Sequence, residues 1–152
     1  MWRRARYWIL LITLCAAATC PAAKRTCDQR AHSREAETSL DYLEFALRGL
    51  AAKGQWLATS VPLTPAKGAC CDTGGICGQD QDRWAHPTWQ ALGFTLDRAH
   101  YYSYEVQVQG ETVTLRATAD LDCNGIFGTF ERQFTRTPTG LKVTTKHENQ
   151  YE

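Results

Sequence analysis

The fold is decided by residues 101–119, which read YYSYEVQVQGETVTLRATA. Apolar and polar residues alternate from Tyr102 to Val108, and the same alternation resumes from Val113 to Ala119. A period of two is typical of a β-strand with one buried face, and Gly110 between the two runs marks a turn. The stretch therefore predicts an antiparallel hairpin.

More strands follow towards the C-terminus. After a loop at residues 120–128, Phe130 and Phe134 lie at alternating positions, residues 138–140 predict a turn, and Leu141 and Val143 begin a last strand. We expect an antiparallel sheet of about four strands.

Upstream of the hairpin, the sequence predicts one long helix, from Ser33 to Lys53. Ser33 suits an N-cap, Gly54 suits a stop, and between them the apolar residues recur at helical spacing: Leu40, Leu43, Leu47 and Leu50. Residues 55–100 predict an ordered loop with a short helical turn near residues 88–92. A helix that covers one face of a sheet gives an α+β fold.

The first 18 residues have the pattern of an export signal. Three arginines precede the apolar run from Tyr7 to Ala18, which is shorter than the roughly 20 residues that a spanning helix needs. Cleavage after Ala18 is favoured over cleavage after Ala22 or Ala23, and lipidation of Cys20 is a further alternative. We therefore assign residues 1–18 to a signal peptide, 19–32 to a polar tether and 33–152 to the globular domain, in the periplasm or outside the cell.

The cysteines are expected to form disulfides. Of the seven in the chain, six remain after a cut at Ala18: Cys20, Cys27, Cys70, Cys71, Cys77 and Cys123. The short paired spacings of zinc sites and of C-x-x-C redox motifs are absent, and an exported chain meets oxidising conditions.

The charge of the chain disfavours nucleic acid as a partner. The formal net charge is +1 for all 152 residues. Removing Arg3, Arg4 and Arg6 with the signal leaves 14 basic against 16 acidic residues, a formal charge of −2. No excess of positive charge then remains to attract phosphates.

One stretch matches the pattern of a calcium loop. In residues 120–131, DLDCNGIFGTFE, the candidate ligands are Asp120, Asp122, Asn124, Ile126 through its carbonyl, and Glu131. The flanking segments are β-patterned rather than helical, and Asp, Asn and Gly also serve any tight strand connection. The sequence is compatible with two interpretations of this stretch: a calcium-stabilised domain or a structural turn.

No motif calls for catalysis. The four histidines, His32, His86, His100 and His147, stand apart from one another, and the serine-nucleophile and phosphate-loop motifs are absent. An enzyme would need His86 or His100 to meet a carboxylate in a cleft. We therefore expect a protein that acts by binding.

Several segments in series resemble the globular head of type IV pilin-like proteins of deltaproteobacteria. They are Glu35-Ala36-Glu37 with Leu40, the run 60–65 (SVPLTP), Cys70-Cys71 and Cys77, the run 89–94 (WQALGF), the run 101–104 (YYSY), and residues 120–125 (DLDCNG) with Thr129-Phe130-Glu131. The resemblance covers about residues 33–134.

The resemblance implies a helix packed on an antiparallel sheet, with disulfides that hold the loop between them. It implies a protein partner, such as a component of a pilus or secretion system, and membrane contact only if the N-terminal run is retained or Cys20 is lipidated. In place of the prepilin junction and filament helix, this chain has a Sec-like leader. The heads share four of the cysteines, so we expect Cys123 to pair with Cys70 or Cys71, Cys77 with the other, and Cys20 with Cys27.

Overall fold

The computed structural model describes the backbone of residues 2–149 and the side chains of residues 27–149. Within these residues, two α-helices and five strands follow in the order α1 (Trp2–Ala52), β1 (Val61–Thr64), α2 (Pro87–Leu92), β2 (Ser103–Gln109), β3 (Thr112–Ala119), β4 (Gly128–Thr137) and β5 (Gly140–Glu148), and two short 3-10 helices, Cys71–Thr73 and Gln81–Trp84, lie between β1 and α2. The strands form one antiparallel sheet in sequence order. The predicted α+β class is confirmed.

Helix α1 begins at Trp2 rather than at the predicted Ser33, so the predicted tether at residues 19–32 is helical. That segment contains several residues with good intrinsic helix propensity and lacks an apolar stripe, which is why periodicity did not reveal it. The part of the helix that packs on the sheet buries the predicted stripe: Ala36, Leu40, Leu43 and Leu47 are at most 1% exposed.

The sheet has a buried inner face and a polar outer face. Alternate residues of β2, β3 and β4 point inward to the helix and form most of the core, namely Tyr104, Val106, Val113, Leu115, Ala117, Phe130 and Phe134. The residues between them point outward. The predicted hairpin between β2 and β3 is confirmed, with Gln109 opposite Thr112 across its turn.

Strand β1 makes five strands where about four were predicted. It is four residues long and pairs with β2 through Val61 and Val106. Pro62 lies inside it, and a proline is tolerated only in an edge strand because it cannot donate to the ladder. Four residues are too few to show an alternation of apolar and polar side chains, so β1 is recognised only by its pairing with β2.

The loop between β1 and β2 is ordered by aromatic packing. Trp84, Trp89 and Phe94 are buried, and their ring centroids lie 5.2 to 5.5 Å apart. Phe94 also packs edge-on against Tyr104 of β2 at 5.2 Å. The predicted helical turn is α2, which begins with Pro87 in the first turn. These rings place the loop over the β1–β2 half of the inner face.

An arginine on the inner face ties the sheet to the helix. Arg132 of β4 donates through Nη1 to Glu44 at 2.9 Å and through Nη2 to Asp41. Its side chain is 16% exposed, so these charged hydrogen bonds are partly shielded from water. They set the position of α1 over β4.

Two disulfides restrain the loop between β1 and β2. Cys71 pairs with Cys123 and Cys70 with Cys77, which confirms the expected pattern and decides between its two alternatives. The predicted Cys20–Cys27 bridge is wrong, because Cys27 carries a free, exposed thiol. Both positions lie in helix α1, where a separation of seven residues is about 10.5 Å along the axis, beyond the reach of a disulfide.

Candidate functional site

A groove of about 310 Å³ crosses the outer face of the sheet. Strict alternation along four strands brings polar and charged side chains to this face. The groove is lined by Leu63, Lys67, Glu105, Arg116, Thr118, Thr129, Glu131, Lys146 and Glu148. The helix covers the opposite face, so the groove opens to solvent.

Arg116 lies at the centre of this groove, between two carboxylates on the neighbouring strands. Its Nη1 donates to Glu105 at 2.9 Å, and its Nη2 and Nε donate to Glu131 at 2.7 and 3.0 Å. The register explains the contact, since Arg116 is directly opposite both residues. Partial burial alone would lower the pKa of Arg116, but the hydrogen bonds to Glu131 and Glu105 outweigh it and raise the pKa.

The charges of the groove compensate one another. At its rim Lys146 pairs with Glu148, and Lys67 lies over the ring of Phe127 at 4.2 Å. Both central carboxylates accept hydrogen bonds from Arg116, which holds them in place. The groove therefore offers hydrogen-bonding groups in a fixed pattern, which suits recognition of a polar protein surface.

Sequence reasoning did not identify this network. The pattern of residues 120–131 predicts Glu131 as a calcium ligand, and the alternation along residues 102–119 marks Glu105 and Arg116 only as polar residues of two strands. A usable signal exists, because a charged residue inside each of three consecutive strands predicts a cross-strand cluster once the register is known.

A second groove lies between α1 and the loop before β2, and Glu35 is one of its lining residues. The Glu35 carboxylate accepts hydrogen bonds from the backbone N–H groups of Tyr101 at 3.1 Å and Tyr102 at 3.2 Å. The Tyr104 hydroxyl donates to it at 3.2 Å and lies 3.0 Å from Ser39 Oγ. Burial raises the pKa of Glu35 despite these hydrogen bonds, which act in the opposite direction.

The four histidines have separate structural roles. His86 Nδ1 accepts a hydrogen bond from the Thr88 N–H at the start of α2, and His32 stacks on Tyr101 at 3.7 Å. His147 packs edge-on against Phe130. His100 is 2% exposed and contacts Trp84, and burial lowers its pKa.

Three of the predicted calcium ligands, Asp120, Asn124 and Glu131, have other partners. The Asp120 carboxylate accepts hydrogen bonds from the N–H groups of Asn124 at 3.0 Å and Gly125 at 2.8 Å, and Asn124 accepts from Ile126 at 2.7 Å. The Glu131 carboxylate accepts hydrogen bonds from the Arg116 guanidinium. Within residues 27–149, no group of three or more His, Cys, Asp or Glu side chains is placed to hold a metal ion. These contacts are those of an Asx-rich turn.

We expect millimolar calcium to leave the melting temperature of the protein unchanged. Calcium takes about six to eight oxygen ligands, whereas Glu131 is held by Arg116 and no three acidic side chains of the described residues are gathered at this loop. Thermal unfolding with and without calcium tests this, with magnesium as the matched ion. A rise that calcium alone causes and that D120N abolishes would establish a calcium site instead.

Comparison with family models, with curated proteins and with solved structures gives no match to this chain. Among the residues that the structure describes, no helix is long and apolar enough to cross a membrane.

Proposed function

We propose that this chain is an exported, pilin-like module that acts by binding another protein, either a component of a filament or secretion system or another cell-surface protein. One observation carries the proposal. The C-terminal part of helix α1 packs with its apolar stripe on one face of the antiparallel sheet. This is the arrangement of helix and sheet that the resemblance to pilin-like heads implies.

The disulfides support export. Cys70–Cys77 lies within the loop between β1 and β2, and Cys71–Cys123 connects this loop to the turn after β3. Disulfides persist in the periplasm and outside the cell but are rare in the cytosol.

The outer face of the sheet is the binding surface that we favour. It is polar, fully formed and free of the helix, and its central charges are held by Arg116. A rigid, hydrogen-bonding surface loses little entropy on binding, so a partner with complementary groups gains specificity from it. Binding is favoured over catalysis, because His100 is buried and the Glu105 and Glu131 carboxylates are paired with Arg116.

Site-specific photo-cross-linking in the producing cells tests this proposal. A cross-linking residue at Gln133, which is exposed on the outer face, is expected to capture a pilus, secretion or cell-surface protein. The matched control is Lys53, exposed beyond the end of α1, which should capture none. Equal capture at both positions, or capture of cytosolic proteins alone, would contradict the proposal.

A further inference from the structure

Strand β5 leaves one edge of the sheet open. It is nine residues long, it pairs with β4 on one side, and most of its residues are exposed. The opposite edge of the sheet, β1, is protected, because this strand is only four residues long and contains Pro62. A long edge strand without proline presents unpaired backbone groups that can bind another strand.

The register shows which backbone groups of β5 are free. The Arg136 N–H donates to the Glu111 carbonyl on the β3 side at 2.9 Å, so Arg136 does not exchange hydrogen bonds with its β5 partner, Leu141. Hydrogen-bonded and non-hydrogen-bonded pairs alternate along an antiparallel ladder. The N–H and C=O groups of Leu141, Val143, Thr145 and His147 therefore point away from β4 to the open edge.

We propose that this edge binds a second copy of the chain, with the two β5 strands antiparallel and a two-fold axis through Thr145. Charge complementarity between the two β5 strands favours a second copy of the chain as the partner. In this register Lys142 of each copy lies opposite Glu148 of the other, whereas the neighbouring registers place lysine opposite lysine. Opposite charges across a strand pair are favourable and like charges are unfavourable. The inference does not depend on the proposed function.

The pairing forms a closed, symmetric dimer. Thr145 pairs with itself across the axis, and Val143 pairs with His147 of the second copy on each side. Two hydrogen bonds for each such pair give about six in total. The contact is small, so we expect a dimer that dissociates on dilution.

Thr145→Pro tests the dimer. Proline removes an N–H that points to the open edge, and it occupies an edge position that the β4 ladder does not use. Sedimentation velocity of the full chain over a dilution series should show dimerisation at least tenfold weaker for T145P than for the natural sequence. Its melting temperature at a concentration where both chains are monomers checks that the fold is intact.

A charge exchange tests the register. K142E places a second carboxylate opposite Glu148 and should weaken the dimer, and the double variant K142E/E148K should restore it. A natural chain that sediments as a monomer throughout, or association that T145P leaves unchanged, would overturn the proposal. If T145P does not fold, the K142E variant tests the proposal in its place. A dimer that associates equally well with K142E would show that β5 is not the contact.

Discussion

Replacing Cys71 and Cys123 with alanine is expected to lower the free energy of unfolding by about 4 kcal/mol. The two cysteines are 52 residues apart in sequence, and a cross-link over a long loop removes much of the entropy of the unfolded chain. The bond also joins the loop that carries Trp84 and Trp89 to the turn after β3. Without it, that loop must be ordered by packing alone. Denaturant unfolding of the full chain measures the change.

The matched control is C70A/C77A. That bond spans 7 residues, and the same loop-closure relation gives a loss of about 2.5 kcal/mol. The two variants remove the same number of sulfur atoms, so the difference isolates loop length. If the short-range variant loses as much stability as the long-range one, loop closure is not the source of the effect.

Glu35→Ala is expected to cost about 2–4 kcal/mol of folding free energy. The substitution leaves the N–H groups of Tyr101 and Tyr102 without their acceptor, and two fully buried donors without a partner would cost about 2–6 kcal/mol. Both N–H groups are only part-buried, so the expected loss lies in the lower part of this range. Glu35→Gln keeps one oxygen in place and should cost much less. Denaturant unfolding near pH 7 compares the two. Equal losses for both variants would show that the hydrogen bonds to the oxygen contribute nothing.

Glu35 also makes stability depend on pH. Burial raises its pKa above the ordinary value, so the folded chain binds this proton more tightly than the unfolded chain. The stabilisation that comes from binding this proton is therefore fully present below the unfolded pKa of about 4.3 and is lost as the pH rises through the higher folded pKa. The free energy of unfolding of the natural chain, minus that of E35Q, should fall over this range. A difference that rises with pH would contradict the assignment.

Local patterns allowed part of this structure to be predicted. Leu40, Leu43 and Leu47 are spaced for one helix face, and the alternation around Gly110 defines a hairpin, so the α+β class followed from periodicity. The pairing of Cys123 with one of the two adjacent cysteines followed from the resemblance to pilin-like heads. The pairing of Cys27 did not follow, because it depended on a tether that is in fact helix.

The candidate site could not be predicted in the same way. Arg116 is 11 residues from Glu105 and 15 residues from Glu131 along the chain, and only the strand register brings them together. The short β1 and the hydrogen bonds of Glu35 likewise depend on partners far away in sequence, separated by up to 69 residues in the case of Tyr104.

Residue spacing was enough to predict the class of the fold, the buried stripe of the helix and the alternating faces of the hairpin, because helices and strands repeat with a constant period. The use of Cys70, Cys71, Cys77 and Cys123 in disulfides followed from the export signal and from the resemblance to pilin-like heads. The three-dimensional structure was needed to show which disulfide partners meet, how Glu35 and Arg132 hold the helix, and which edge of the sheet stays open. These features depend on contacts between residues that are distant in the chain, and such contacts form only when the register and the packing are set together.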